Sequence, residues 1–157
     1  MAIAVGQKAP EFALVDTERK PRTLAEFKGQ KLILAFYPAA FTGVCTKELC
    51  TFRDSLSHLG SLGATVLGIS VDTPFANKAF GEQHQITFPL LSDYTRQVIT
   101  AYDVQLPDLA GLKGYTAAKR AVFVLDSGGV IRYKWTSDDP MKEPNYEEVK
   151  QAVQQIG

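Results

Sequence analysis

The sequence predicts an α/β fold with a mixed central sheet flanked by helices, and three observations lead to it. Three short apolar runs, at 31–37, 65–71 and 121–125, have the length and composition of buried strands. Segments with helical periodicity separate these runs along the chain. An alternating segment at 130–135 follows a glycine-rich turn and predicts an antiparallel hairpin. This order of elements favours helices packed on a sheet that is partly parallel and partly antiparallel.

The first helix is predicted to begin at Thr42 and to end near Leu59. Apolar residues recur along it at helical spacing and form one stripe: Leu49, Phe52, Leu56 and Leu59. A helix in this position would connect the first apolar strand to the second.

The rest of the chain is assigned in the same way. Three further helices are predicted, at 74–84, 93–101 and 145–156. Asp72 or Thr73 is expected to cap the first of them. Residues 104–119 show no clear period and are predicted to be a loop, whose length suggests a functional or mobile segment. The length of 157 residues suits one domain, so residues 1–157 are expected to form a single domain.

Charge and hydropathy exclude some classes of protein. Seventeen basic residues balance seventeen acidic ones, which argues against a dedicated nucleic-acid binder. The longest apolar stretch, 32–41, has ten residues and contains Pro38, so we expect no membrane-spanning segment. The apolar part of the N-terminus is too short for a signal peptide, which makes the cytoplasm the expected location.

The chain has two cysteines, Cys45 and Cys50. Thiols tend to stay reduced in the cytosol, where a disulfide is more often catalytic than structural. Together with two histidines they make a closed zinc site conceivable on count, but His58 and His84 lack the spacing of a zinc finger. Both cysteines could also be small buried hydrophobic side chains.

The segment from Pro38 to Cys45 is the strongest chemical feature, because it follows the first strand at the position where open α/β sheets place active sites. Thr42 suits the N-cap position, and its hydroxyl is expected to accept from backbone N–H groups one turn on. Cys45 then lies at the third helical position, where the helix dipole and free N–H groups stabilise a thiolate. Only the thiolate is a good nucleophile. Pro38 can shape the loop that shields the sulfur.

The spacing of the two cysteines predicts a conformational change. In an ideal helix the Cα atoms of Cys45 and Cys50 would lie about 8–9 Å apart. A disulfide needs Cα atoms within about 7 Å, so the pair can bridge only if the first turns unwind. In the unbridged form we expect Cys45, facing inward, near the first turn of an unbroken helix.

Pro38, Thr42 and Cys45 form the pattern P-x3-T-x2-C, and the chain here resembles the peroxiredoxins. Glu48 and Arg120, which opens the run RAVFVLD, also fit the pattern of that family. Three further segments carry the resemblance along nearly the whole chain: 9–14, 24–29 and 88–93. The C-x4-C spacing is similar to that of the bacterioferritin comigratory protein, or peroxiredoxin Q, type. The runs FYPAAFTGVC and FPLLSD are similar to the one-cysteine alkyl hydroperoxide reductase E type.

The resemblance implies a thioredoxin-like fold with an N-terminal addition, and a thiol-dependent peroxidase activity. The Cys45 thiolate would attack hydrogen peroxide or an alkyl hydroperoxide and become a sulfenic acid. The Thr42 hydroxyl, the Arg120 guanidinium and the Cys45 N–H would stabilise the developing charge. Cys50 would then close a disulfide, which thioredoxin or another dithiol reductant would reopen. The resemblance implies no cofactor and no metal, and monomers and homodimers both occur in the resembling groups.

Other functions remain open from the sequence. A one-cysteine peroxidase would use an external thiol in place of Cys50. A thioredoxin-fold metal-binding module would bind Cu(I) or Zn through thiolates, although two sulfurs five residues apart point about 140° apart on an ideal helix. A disulfide oxidoreductase of the thioredoxin kind would carry C-x-x-C. Glu48 could only complement the helix dipole, and Arg120 could be a solvated charge.

Overall fold

The structure is a computed structural model and describes residues 3–156. The strands are β1 (Ala13–Val15), β2 (Pro21–Thr23), β3 (Lys31–Phe36), β4 (Ala64–Ser70), β5 (Leu90–Ser92), β6 (Gln105–Leu106), β7 (Ala117–Ala118), β8 (Arg120–Leu125) and β9 (Ile131–Ser137). The helices are α1 (Gly43–Asp54), α2 (Leu56–Ser61), α3 (Pro74–Gln83), α4 (Gln97–Ala101) and α5 (Tyr146–Gln155), with short 3-10 turns at Leu24–Phe27 and Leu109–Gly111. Within 3–156, no helix has both the length and the hydropathy needed to cross a bilayer.

Seven strands form the central sheet, in the order β2-β1-β5-β4-β3-β8-β9. The three inner strands β5, β4 and β3 run parallel, whereas β8 pairs antiparallel with β3 and β9 pairs antiparallel with β8. The predicted α/β class with a mixed sheet flanked by helices is therefore confirmed. The antiparallel edge is the hairpin that the alternating segment predicted.

Both faces of the sheet are covered, which places a core layer on each side. Successive residues of a strand point to opposite faces. Thus β3 contributes Leu34 and Phe36 to one layer and Ile33 and Ala35 to the other, all fully buried. The second layer also contains the apolar sides of α1, α3 and α5. These helices lie on one face, so that α1 begins beside the carboxyl end of β3.

The predicted helix from Thr42 to Leu59 is divided in two at Ser55. The N–H of Ser55 bonds to both Thr51 and Phe52 carbonyls, and its backbone (φ −96°, ψ −1°) departs from the helical values. The apolar stripe still faces the sheet on both sides of the break. The apolar stripe shows which side of the helix is buried. A local bend that keeps the same side buried does not change the stripe, so the sequence could not predict it.

Short elements account for the other differences. The predicted loop at 104–119 contains the antiparallel pair β6–β7, whose two-residue strands are too short to show a period. The predicted helix at 93–101 is regular only over α4, because Arg96 has a left-handed backbone (φ 64°). The antiparallel hairpin β1–β2 lies on the far edge of the sheet, in a part of the chain for which the sequence predicted no element.

Candidate functional site

The candidate site lies where β3 passes into α1. Thr42 occupies the N-cap position with an extended backbone, and Cys45 is the third residue of the helix, as predicted. The Cys45 side chain is completely buried. Cys50 lies further along the same unbroken helix and is half-buried. Both thiols are free, which matches the expectation for the unbridged form.

The Thr42 hydroxyl is oriented differently from the expectation. It makes no capping hydrogen bond to the helix and instead donates to the carbonyl oxygen of Ala39, at 2.9 Å. Phe41 has a left-handed backbone (φ 67°), which turns the loop back so that this carbonyl comes within reach. The expected role of the hydroxyl as an acceptor from helix N–H groups is therefore wrong. The proton that the resemblance assigned to stabilising the developing charge is bonded to Ala39 instead. Since the proton of the hydroxyl is engaged by Ala39, the oxygen lone pairs remain free to accept a hydrogen bond.

Arg120 contacts both the Glu48 carboxyl and the Cys45 sulfur. It begins β8, the strand next to β3, and it is 1% exposed. Its Nη1 donates to Glu48 Oε1 at 2.8 Å, and its Nη2 lies 3.1 Å from Cys45 Sγ. Nη2 also donates to the carbonyl of Pro140 at 2.7 Å. The interpretations of Arg120 as a solvated charge and of Glu48 as a mere dipole partner are therefore wrong.

The protonation of Glu48 follows from its surroundings. Burial raises the pKa of Glu48 to about 8, against the opposing attraction of Arg120. One carboxylate oxygen, Oε2, has no hydrogen-bond partner, and neither has Nε of Arg120. Burial also opposes the charge of Arg120, yet its neighbours Glu48 and Cys45 keep its pKa above the ordinary value. Burial therefore disfavours the charged form of Glu48, although its Oε1 stays paired with Arg120.

A cleft of about 410 Å³ opens beside this cluster and reaches Thr42 and Arg120, whereas the buried Cys45 does not line it. Its lining is mainly apolar and comes from three parts of the chain: Pro38, Thr42, Gly43, Val44 and Lys47; Leu109 and Ala110; and Arg120, Pro140, Met141 and Glu143. Pro38 therefore shapes the wall of the cleft, as expected for the residue that begins the loop. Leu109, Ala110 and Met141 were not predicted as site residues. The unusual length of the predicted 104–119 loop was a signal for Leu109 and Ala110, but it does not extend to Met141.

The segment 138–143, which follows β9, forms one wall of the cleft and is tied to the site at three points. Asp138 pairs with Lys119 at 2.7 Å, and the carbonyl of Pro140 binds Arg120. Glu143 pairs with Lys47 of α1 at 3.1 Å. The wall is therefore anchored both to the strand that carries Arg120 and to the helix that carries the cysteines.

The geometry does not favour the metal-binding alternative. Across residues 3–156, no three side chains of His, Cys, Asp or Glu are placed to hold one metal ion. The imidazole of His84 packs on the ring of Phe80, with centroids 5.1 Å apart. Within the same residues, neither histidine forms a three-ligand group with the two cysteines.

Sequence comparison places the chain among known proteins. The AhpC/TSA family profile matches residues 5–134. The chain is 42% identical over 135 residues to a putative peroxiredoxin bcp of Coxiella burnetii, covering 86% of this chain and 89% of the relative. It is 40% identical over 127 residues to the chloroplastic peroxiredoxin Q of Populus jackii, covering 81% of this chain and 57% of the relative.

Solved structures agree with these relatives. Peroxidoxin BcpB of Mycobacterium tuberculosis superposes with a TM-score of 0.85 at 30% identity, covering 98% of this chain and 97% of the other. A mutant of peroxiredoxin Q from Xylella fastidiosa superposes with a TM-score of 0.85 at 25% identity, covering 98% and 96%. Family profile, sequence and fold all agree with the resemblance carried by Pro38, Thr42 and Cys45. The chain therefore belongs to the AhpC/TSA family, as a thiol-dependent peroxidase of the peroxiredoxin type.

Proposed function

We propose that this chain reduces hydrogen peroxide and alkyl hydroperoxides at Cys45, that Cys50 resolves the product, and that thioredoxin or a similar dithiol protein completes the cycle. The observation that carries the proposal is the 3.1 Å contact between Arg120 Nη2 and Cys45 Sγ at a buried helix start. A fixed cation beside the sulfur favours the thiolate over the thiol. The thiolate is the form that attacks a peroxide.

The first step is an in-line displacement at the peroxide. The Cys45 sulfur forms a bond to the terminal oxygen as the O–O bond breaks, which gives a sulfenic acid and an alkoxide or hydroxide that takes up a proton. Sulfur is oxidised by two electrons and the peroxide is reduced by two. Negative charge moves from sulfur towards the leaving oxygen, where the Arg120 guanidinium stabilises it. Thr42 lies on the cleft wall with lone pairs free to accept from the peroxide O–H.

The second step would close a disulfide. The Cys50 sulfur attacks the sulfenic sulfur of Cys45, an S–S bond forms, and the hydroxyl leaves as water. Both residues belong to α1, so the helix must unwind around them before their sulfurs meet. A dithiol protein then reduces the disulfide by two thiol exchanges and is itself oxidised. A reducing compartment such as the cytoplasm suits two free thiols.

The cleft supports a substrate range that includes alkyl hydroperoxides. Arg120 provides charge at one part of its lining, while Val44, Leu109 and Met141 provide apolar surface. An alkyl group could rest on this surface with the peroxide group directed towards Arg120. Hydrogen peroxide lacks the alkyl group and would use only the polar part.

Intact mass and thiol titration test the proposal. The reduced wild type and Cys50→Ser would each be treated with a small excess of peroxide. We expect the wild type to lose both thiols without gaining oxygen, and Cys50→Ser to gain one oxygen. Cys45→Ser is the control and should remain unmodified. A wild type that gains one oxygen and keeps its Cys50 thiol would identify a one-cysteine peroxidase, and unreacted thiols would refute the peroxidase proposal.

A further inference from the structure

The loop between β3 and α1 holds a strained backbone at the point where it meets the site. Phe41 adopts a left-handed conformation, which is unfavourable for a residue with a bulky side chain. Such a conformation persists only where neighbouring contacts enforce it. One of these is the edge-to-face packing of the Phe41 and Phe80 rings, whose centroids lie 5.2 Å apart.

A second restraint acts on the peptide between Ala39 and Ala40. Its N–H donates to Asp72 Oδ2 at 2.8 Å, and its carbonyl accepts from the Thr42 hydroxyl at 2.9 Å. The peptide is planar and trans, so its N–H and C=O point in opposite directions and turn together. The carboxylate on one side therefore fixes the direction of the carbonyl on the other side, and with it the Thr42 hydroxyl.

Asp72 lies just after β4, where two hydrogen bonds with Ser70 hold it in place. The fully buried Ser70 donates to the same Oδ2 at 2.8 Å, and the Asp72 N–H donates to Ser70 Oγ at 3.2 Å. The capping of α3 is performed by Thr73, whose hydroxyl accepts from Ala76 N. The Asp72 side chain is thus not used as a helix cap and is free to serve the loop.

We propose that Asp72 is a positioning residue for peroxide reduction, acting on the Thr42 hydroxyl through the Ala39–Ala40 peptide. This inference rests on the proposed function, because Thr42 matters only if a peroxide binds beside it. This chain of hydrogen bonds, called the relay below, keeps the Thr42 hydroxyl donating to the Ala39 carbonyl. Its lone pairs can then accept a hydrogen bond from a peroxide in the cleft that Thr42 lines. Without the carboxylate the peptide can rotate, and the hydroxyl loses its fixed orientation.

A double-mutant cycle tests the relay. The second-order rate constant of Cys45 oxidation by hydrogen peroxide is measured in a Cys50→Ser background for Asp72→Ala, Thr42→Val and the double variant. We expect each single variant to be slower by about tenfold, the size of one lost orienting interaction. The double variant should be no slower than Thr42→Val alone, because both changes remove the same function.

Two further measurements separate positioning from a loosened structure. Alkylation of Cys45 by iodoacetamide does not use Thr42, so Asp72→Ala should alkylate at the wild-type rate. Thr73→Ala is the matched control, since it weakens the same corner of the fold without touching Ala40, and it should keep the wild-type peroxide rate.

Three results would overturn the relay: a wild-type peroxide rate in Asp72→Ala, effects that multiply in the double variant, or an equal loss in alkylation. If Asp72→Ala does not fold, the cycle is run with Asp72→Asn. That variant keeps an acceptor oxygen but loses the charge, and we expect a loss of about threefold that disappears in the Thr42→Val background. If the wild type itself does not react with peroxide, the proposed function is refuted. The same assay measures the wild type first, so this outcome is distinguished from failure of the relay.

Discussion

Arg120 Nη1 donates to Glu48 Oε1 across 2.8 Å, and both side chains are almost completely excluded from solvent. The other terminal nitrogen of Arg120 faces the sulfur of Cys45. One cation therefore serves two groups that can each become an anion. Burial raises the pKa of Glu48, so its carboxyl competes less strongly than an exposed one for the positive charge that faces Cys45.

Glu48 should make folding stability depend on pH. Burial raises the pKa of folded Glu48 to about 8, from an ordinary value of 4.5. Between these values the folded state binds more protons than the unfolded state, so Glu48 reduces stability as pH rises through the window. The slope is at most about 1.4 kcal/mol per pH unit. In urea unfolding of the reduced protein, the free energy of unfolding of Glu48→Gln should rise relative to that of the wild type between pH 5 and pH 8.

Asp126→Asn is the control for this pH dependence. Burial opposes the ionisation of Asp126, but hydrogen bonds from Arg132 and from the N–H groups of Val130 and Gly128 hold its pKa below the ordinary value. The stability that its charge provides is therefore fully present well above the ordinary pKa of a carboxyl, and its difference from the wild type should stay constant from pH 5 to pH 8. Parallel profiles for Glu48→Gln and the wild type would contradict the assignment of Glu48 as a buried acid.

Arg120→Lys should slow peroxide reduction strongly. Lysine keeps one positive charge but lacks the planar fork that binds Glu48 and faces Cys45 at once. Loss of one aligned donor to developing charge typically costs about 10²–10³ in rate. Stopped-flow measurement with hydrogen peroxide checks this, with the exposed Arg132→Lys as the matched control. A rate for Arg120→Lys within a few-fold of the wild type would show that charge alone is enough.

Much of this arrangement could be predicted from the sequence. Apolar runs identified β3, β4 and β8, and the N-cap pattern placed Cys45 at the third position of α1. Those features are local, since burial and helix capping leave a direct signature in residue order.

The contacts that orient the site could not be predicted in the same way. The Thr42 hydroxyl follows a carbonyl that depends on the left-handed backbone of Phe41, which has no clear sequence signal. The wall formed by Met141 depends on where a long connection lies after β9. Such contacts join residues that are distant in sequence or depend on a single backbone angle, and neither produces a periodicity.

Glu143→Gln should accelerate disulfide formation. The ion pair between Glu143 and Lys47 ties α1 to the segment 138–143, and this helix must unwind before Cys50 reaches Cys45. A partly exposed pair contributes about 0.2–1 kcal/mol, so loss of the pair predicts a rate increase of about 1.4- to 5-fold. Rapid quench and thiol titration after one peroxide pulse measure the rate of disulfide formation.

The control for this effect is Lys47→Arg, which keeps the charge pair and should retain the wild-type rate. Faster unwinding also leaves less time for further oxidation of the sulfenic acid, so Glu143→Gln should yield less sulfinic acid at high peroxide. An unchanged or slower disulfide step would show that the ion pair does not limit the movement of α1.

Met141→Ser should change substrate preference without changing stability. Met141 is 72% exposed at the rim of the cleft, so its apolar surface is available to an alkyl group and contributes little to the core. Replacing it should raise KM for cumene hydroperoxide by about three- to tenfold, the value of roughly one lost apolar contact. The rate with hydrogen peroxide should stay the same, because that substrate has no alkyl group. Leu112→Ser is the matched control, since Leu112 is similarly exposed but does not line the cleft. An equal loss with both peroxides would mean that Met141 supports the loop and does not contact substrate.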